Sequence, residues 1–276
     1  MQNIKKIKKV AGGSLGIVIT GGSAGLGYAL AEKFLASGDR VVICGRNLER
    51  LEKALIALRK AVPHAAVYGI RCDVGNPSEV KALAVFAKSR LGLVDRWINN
   101  AGTAGRLKRS LWELHSDDII ETCTTNLSGS IVLCAEAIKL MVPQPPFKEP
   151  IYHIFNMGFS ALGVNLSRSA VPHKASKRGV AEVTYFLSKE LKAAGKTSIG
   201  VHELSPGLVL TSLLLQDVSA ETRKFLNVIA EKPEKVAAVL VPKIRRISSC
   251  NGSVRYQPLA MTLLKVVIGL AKIIRK

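Results

Sequence analysis

Short apolar, β-prone runs alternate along this chain with longer segments whose apolar positions recur at helical spacing. Gly16–Thr20 (GIVIT) reads as a buried strand and Leu26–Ser37 as a helix stopped by Gly38. Arg40–Cys44 is a second strand, followed by a helix over Leu48–Val62 that ends before Pro63. Ala66–Ile70 and Val94–Ile98 read as the third and fourth strands, with a helix over Pro77–Leu91 between them. A long helix is expected over Asp117–Met141, a fifth strand over Ile151–Asn156, a helix over Lys174–Ala194 and a sixth strand over Ser198–Leu204. Serine-rich turns then lead to a helix near Pro233–Ile244, with Gly252–Tyr256 as a candidate last strand. Strands that are apolar without interruption are buried on both faces. Alternating with helices, they predict an α/β fold with a doubly wound parallel sheet and right-handed crossovers. The proline-rich stretch Met141–Pro150 belongs on the surface between helix and strand.

A chain of 276 residues, 48% hydrophobic, suits a single large domain. The expected organisation is a basic N-terminal segment (1–14), the α/β domain (15–257) and a C-terminal segment (258–276). Charge sharpens the two ends. Forty Lys and Arg face twenty Asp and Glu. Lys5, Lys6, Lys8 and Lys9 precede the first acid, Glu32, and no acid follows Glu234. Such a field attracts anionic partners. Nucleic acid is not expected, because no aromatic-studded binding motif accompanies the charge. The tail Pro258–Lys276 (PLAMTLLKVVIGLAKIIRK) is apolar but interrupted by lysines. As a helix it would either lie on an anionic membrane surface with its cations reaching head groups, or pack on the sheet or a partner subunit. No stretch approaches the roughly 18 uninterrupted apolar residues of a membrane span, and no secretory signal is expected. Cys44, Cys72, Cys123, Cys134 and Cys250 form no CxxC pair, so neither a metal site nor a disulfide framework is expected.

The first strand runs into Thr20-Gly21-Gly22-Ser23-Ala24-Gly25-Leu26-Gly27 and then a helix. Glycines at this spacing allow a tight turn and close backbone approach to a pyrophosphate seated on the helix N-terminus. Thr20, Gly21, Ser23, Gly25, Leu26 and Gly27 are therefore candidate dinucleotide contacts, and the fold is of the Rossmann type. At the end of the second strand an NAD site usually carries an acid for the ribose 2′-hydroxyl. This chain has Cys44-Gly45-Arg46-Asn47. The planar fork of Arg46 suits a 2′-phosphate, so the expected cofactor is NADP(H); otherwise Arg46 is a solvated residue opening the next helix.

Further motifs follow in order: Cys72-Asp73-Val74, Asn99-Asn100-Ala101-Gly102, Asn126, Ala175-Ser176-Lys177 and Ser205-Pro206-Gly207. With the glycine loop they make the segment from Leu15 to about Pro258 resemble the short-chain dehydrogenase/reductase family. The resemblance implies that Asp73 contacts the adenine, that Asn100, Ala101 and Gly102 flank the adenosine ribose, and that Lys177 holds the nicotinamide ribose. It implies further that Pro206, Gly207 and Thr211 line the nicotinamide end, and that a dimer or tetramer forms through the long helices.

Reduction of a carbonyl needs a proton donor and groups that hold the oxygen. The family uses Asn, Ser, Tyr and Lys, with Tyr and Lys four residues apart on one helix face. Asn126 and Lys177 match. Ser160, thirteen residues before position 173, is the candidate serine; otherwise it is an ordinary loop residue. Position 173 is His instead of Tyr, and Tyr152 and Tyr185 are not at the required spacing. Two readings follow. In one, His173 is the proton donor, although the Lys177 cation favours neutral imidazole, a poorer acid. In the other, catalysis is lost and a cofactor-binding shell remains.

Four separated segments narrow the resemblance: His153-Ile154-Phe155-Asn156-Met157, Asp95-Arg96-Trp97-Ile98, the stretch Leu208–Leu215, and Pro233-Glu234-Lys235-Val236-Ala237 with Leu240-Val241-Pro242. They are similar to the chlorophyll b reductase branch of the family, in which NADPH reduces a ring formyl group to hydroxymethyl in the plastid, beside the thylakoid. Where that branch has an Asp-Gly-rich turn after the fifth strand, this chain has Gly158-Phe159-Ser160. A bulky macrocycle needs a wide apolar pocket, for which Leu208–Leu215 and Phe159–Leu166 are candidate walls. The alternatives are another hydrophobic aldehyde or ketone, or a non-catalytic NADP(H)-binding scaffold. Without the resemblance, the expected location is cytoplasmic.

Overall fold

The computed structural model describes residues 13–158 and 169–258. Ser160 and the Phe159–Leu166 wall, nearly all of the N-terminal segment and nearly all of the C-terminal tail lie outside the described residues. The strands are β1 (Gly16–Thr20), β2 (Arg40–Gly45), β3 (Val67–Arg71), β4 (Arg96–Asn99), β5 (Tyr152–Met157), β6 (Ile199–Ser205) and β7 (Asn251–Arg255). They form one sheet in the order β3-β2-β1-β4-β5-β6-β7, every pair parallel. The chain winds outward from β1 to β3, then returns to β4 on the other side of β1. The carbonyl ends of β1 and β4 therefore flank the switch point where such folds bind ligands.

Alternate residues of each strand feed two cores. Ile17, Ile19, Val41 and Ile43 pack with α1 (Gly25–Ala36), α2 (Leu48–Ala61) and α9 (Pro233–Arg246) on one face. Val18, Val42, Trp97 and Ile154 pack with α3 (Pro77–Leu91), α5 (Gly129–Met141) and α6 (Val171–Ala193) on the other. Both faces are covered, which is why the central strands β1 and β2 are apolar at successive positions rather than alternating.

Two expectations are corrected. The helix expected over Asp117–Met141 is instead α4 (Ser116–Cys123), a π-helical turn over Thr124–Ser128 and then α5. One extra residue per turn is invisible to apolar periodicity, and such bulges gather where a side chain has a specific task; Asn126 lies within this one. Ser130 Oγ donates to the Asn126 carbonyl at 2.6 Å. The segment expected as serine-rich turns contains α7 (Ser212–Leu215) and α8 (Ala220–Ile229). Its hydroxyls are helix N-caps: Thr211 accepts from Leu214 N and Ser219 from Thr222 N.

At the opposite, N-terminal end of the sheet, Arg96 is buried and donates to the carbonyls of Asp95, Ile151, Ile244 and Arg245 at 2.6–2.9 Å. The last two belong to the final turn of α9, so one guanidinium satisfies a helix C-terminus and ties it to β4. Burial lowers the Arg96 pKa to about 10, which leaves it charged at neutral pH. Nearby, His153 Nδ1 and His202 Nε2 are 2.9 Å apart, with both rings fully buried. Burial, and after it the charge of Arg96, lowers their pKa values to about 2 and about 4.

Candidate active site

The site is built from the loops at the carbonyl ends of the strands. Thr20 Oγ1 accepts from Asn100 N at 3.1 Å and Ala101 N at 3.0 Å, while Asn100 Nδ2 donates to the carbonyls of Thr20 and Gly21. The loops after β1 and β4 are thereby stitched across the switch point. A Cβ on Gly27 would lie 2.3 Å from the Gly21 carbonyl oxygen, so the start of α1 needs glycine there to sit against the turn. Gly21 and Gly25 have φ of 63° and 55°. Among the described residues no side chain caps the N-terminus of α1, and its first turn carries no acid. Its amide groups are thus left for an external anion, and this cradle fits a dinucleotide pyrophosphate. Ser23 reaches the end of β2, 2.9 Å from where a Gly45 Cβ would stand.

Arg46, just beyond β2, is exposed and pairs with Glu121 of α4 at 2.9 Å; Arg106 pairs with the other oxygen of the same carboxylate at 2.9 Å. The two guanidiniums hold the Glu121 pKa below the usual carboxylate range, Arg46 contributing most. Asp73, after β3, accepts from Gly75 N at 2.9 Å and its own amide donates to Glu79.

Asn126 is 1% exposed. Its Oδ1 accepts from Thr103 N, and its Nδ2 donates to Thr103 O and to Ser176 Oγ at 2.9 and 3.1 Å. Ser176 Oγ in turn donates to the His173 carbonyl at 3.0 Å, which links the π-helical turn to the first turns of α6. Lys177 Nζ donates to Met157 O at the end of β5 at 3.3 Å. A Cβ on Gly102 would lie 3.0 Å from Asn126 Oδ1 and 3.6 Å from Lys177 Nζ, so these three residues, distant in sequence, converge. Burial lowers the Lys177 pKa to about 8. His173 is 8% exposed; burial first, then the charges of Lys177 and Lys108, lower its pKa to about 4. Pro206 and Gly207 follow β6, and Thr211 Cγ2 would lie 3.1 Å from a Cβ on Gly25, bringing the sixth βα loop over the first.

Sequence reasoning missed the ties that hold that loop. Lys108 N donates to Asp217 Oδ2 at 2.7 Å, Lys108 Nζ to the carbonyls of Leu214 and Gln216, and Gln216 Nε2 to Gly105 O at 3.1 Å. These partners are more than a hundred residues apart, and no local pattern marks them. Behind the turn at Asn100–Gly102, Trp97 Nε1 donates to Asn99 Oδ1, Asn99 Nδ2 to Asn156 Oδ1 and Asn156 Nδ2 to Thr184 Oγ1 at 2.8–3.0 Å. That chain gives Trp97 and Asn156, two residues conspicuous in the sequence, a shared structural task.

The profile described as short chain dehydrogenase matches residues 16–222. The chain belongs to this family. It is 41% identical over 233 residues to the chlorophyll(ide) b reductase NOL, chloroplastic, of Oryza sativa subsp. japonica; the match covers 84% of this chain and 66% of the relative. The chain thus spans just under two thirds of that protein's length. Among solved structures, a short-chain dehydrogenase/reductase from Burkholderia phymatum in complex with NAD superposes with a TM-score of 0.72 at 25% identity, covering 92% of this chain and 93% of that one. A variant of actinorhodin polyketide ketoreductase with NADPH gives 0.71 at 28% identity, covering 88% and 96%. Both cofactors therefore occur among the dehydrogenases this chain resembles.

Proposed function

We propose that this short-chain dehydrogenase is an NADP(H)-dependent reductase of the ring formyl group of chlorophyll b, working in the plastid. The carrying observation is the convergence of Asn126 and Lys177 at Gly102, with His173 one helical turn before Lys177, in a chain so similar to a chlorophyll(ide) b reductase. Thr20, Gly21, Ser23, Gly25, Leu26 and Gly27 would hold the pyrophosphate and the ribose beside it. Arg46 would hold the 2′-phosphate, Asp73 the adenine, and Asn100, Ala101 and Gly102 the adenosine ribose. Lys177, Pro206, Gly207 and Thr211 would hold the nicotinamide end. When bound, NADPH supplies a hydride to the carbonyl carbon.

The chain's own task is then to hold the carbonyl oxygen and deliver one proton to it. Imidazole that stays neutral at pH 7 still donates a hydrogen bond from its N–H, and a neutral histidine can polarise a carbonyl in this way. His173 takes that role, with Ser160 as a second donor. Lys177, its pKa brought down to about 8, is the nearby cation able to lose a proton near neutral pH. Asn126 positions the His173 backbone through Ser176.

The depressed His173 pKa also favours a second reading, a non-catalytic NADP(H)-binding scaffold. A third is reduction of another hydrophobic aldehyde or ketone. Oxidation of NADPH against chlorophyll b and a panel of small aldehydes separates them. Turnover of the pigment supports the first reading and turnover of the panel alone supports the third. NADPH binding without any turnover leaves the scaffold.

Two partner surfaces belong to this proposal. Ile131 on α5 and Tyr185 and Phe186 on α6 are exposed apolar side chains and suit pairing of two copies through the long helices. The basic tail from Pro258 would bring the site to an anionic thylakoid surface.

A further inference from the structure

The Arg46–Glu121–Arg106 cluster has more built into it than a surface ion pair needs. Arg46 follows β2 and Arg106 lies in the loop after β4, yet both guanidiniums end on the two oxygens of one carboxylate. Asp118, one turn before Glu121 on α4, is buried and its carboxylate accepts from Arg106 N at 2.9 and 3.1 Å. Gly105, at φ 84°, lets the chain turn just ahead of this contact. So α4 holds the Arg106 backbone with one acid and its side chain with another.

Two guanidiniums converging on one bidentate oxyanion form the arrangement that recognises a phosphate, whose paired oxygens present the same fork. Arg46 stands just beyond β2, where folds of this type receive the adenosine ribose and its 2′-phosphate.

Resting on the NADP(H) reading above, we propose that Arg106 is a second specificity residue for the cofactor's 2′-phosphate. Arg46 and Arg106 bind the phosphate between them, and Glu121 is the resident anion that neutralises the pair until the phosphate arrives. Arg106 enters from the β4 loop, so 2′-phosphate recognition is coupled to the loop that also carries Gly102 and Lys108.

The test uses the whole chain and two probes that differ only in the 2′-phosphate, adenosine 2′,5′-bisphosphate and adenosine 5′-monophosphate, titrated by calorimetry. The wild type is expected to prefer the bisphosphate. Arg106→Met is expected to weaken bisphosphate binding about tenfold, the loss of one charge-assisted contact, with monophosphate binding unchanged. Glu121→Gln is expected to bind the bisphosphate more tightly than wild type, because a competing anion is gone. A tenfold loss in Glu121→Gln would mean that Arg106 acts only by bracing α4, and would overturn the proposal. So would unchanged bisphosphate binding in Arg106→Met, or an equal loss for both probes. If Arg46→Met abolishes the preference while Arg106→Met does not, the NADP(H) reading stands and this inference fails. A wild type with no preference removes both.

Discussion

Lys177 lies one helical turn beyond His173 on α6, and its charge joins burial in keeping the imidazole neutral down to about pH 4. In the family pattern a lysine at this spacing faces a phenol and stabilises its anion. Facing an imidazole, the same cation works against protonation, so the substitution changes the sign of the pair's usefulness.

Replacing His173 by tyrosine should therefore raise activity. We expect His173→Tyr to increase kcat/KM for NADPH-dependent carbonyl reduction at pH 7 at least about tenfold, in the range that general acid catalysis supplies. Steady-state NADPH oxidation measures it. Activity that falls in this variant would make His173 the better donor in this site.

The pH profile has a defined shape. His173 takes up a proton only near pH 4 and Lys177 loses one near pH 8. The kcat/KM profile, which reports the free protein, should be flat from about pH 5 to 7 and fall above about pH 8. A limb near pH 6.5 would show an imidazole with an ordinary pKa.

Stability should drop in acid for a related reason. His153, His173 and His202 have folded pKa values depressed below the ordinary 6.5. Each stabilises the fold above pH 6.5 and loses that contribution as pH falls toward its folded pKa. At pH 5 the loss is about 2 kcal/mol per histidine, since one pKa unit corresponds to about 1.4 kcal/mol. Urea denaturation at pH 7.5 and 5 should show the drop, and the double variant His153→Asn, His202→Asn should show a smaller one.

Arg96→Met should destabilise the chain by about 3 kcal/mol or more. It removes a donor from each of four carbonyls, two of them in the last turn of α9, and leaves neighbouring Asp95 without its buried cation. The urea midpoint at pH 7.5 checks it, and the proposed active site, at the opposite, carbonyl end of the strands, should be unaffected in any residual folded fraction.

Deleting the tail Pro258–Lys276 should abolish flotation of the protein with anionic liposomes. Unchanged flotation would mean that the tail serves packing instead.

The order of strands and helices, the glycine loop and the spacing of His173 and Lys177 were legible in the sequence because each depends on local chemistry. An apolar run buried on both faces, a glycine where a Cβ would strike the Gly21 carbonyl, and two residues four apart on one helix leave marks in adjacent letters. What lay beyond reach depends on contacts between distant segments. The π-helical turn at Asn126 arises among bonds to Thr103 and Ser176, and the caps that make helices of 212–229 look like turn residues when read alone. Glu121 joining Arg46 to Arg106, Lys108 meeting Asp217, Arg96 reaching the end of α9, and His153 touching His202 all cross the sheet or its loops. The sequence by itself thus determined the fold class and the identity of the residue at position 173. The neighbouring Lys177 was already visible four residues on, but only the tertiary structure decided that residue's charge, because desolvation, the largest cause, and the nearness of Lys108 exist only once the chain has folded around it.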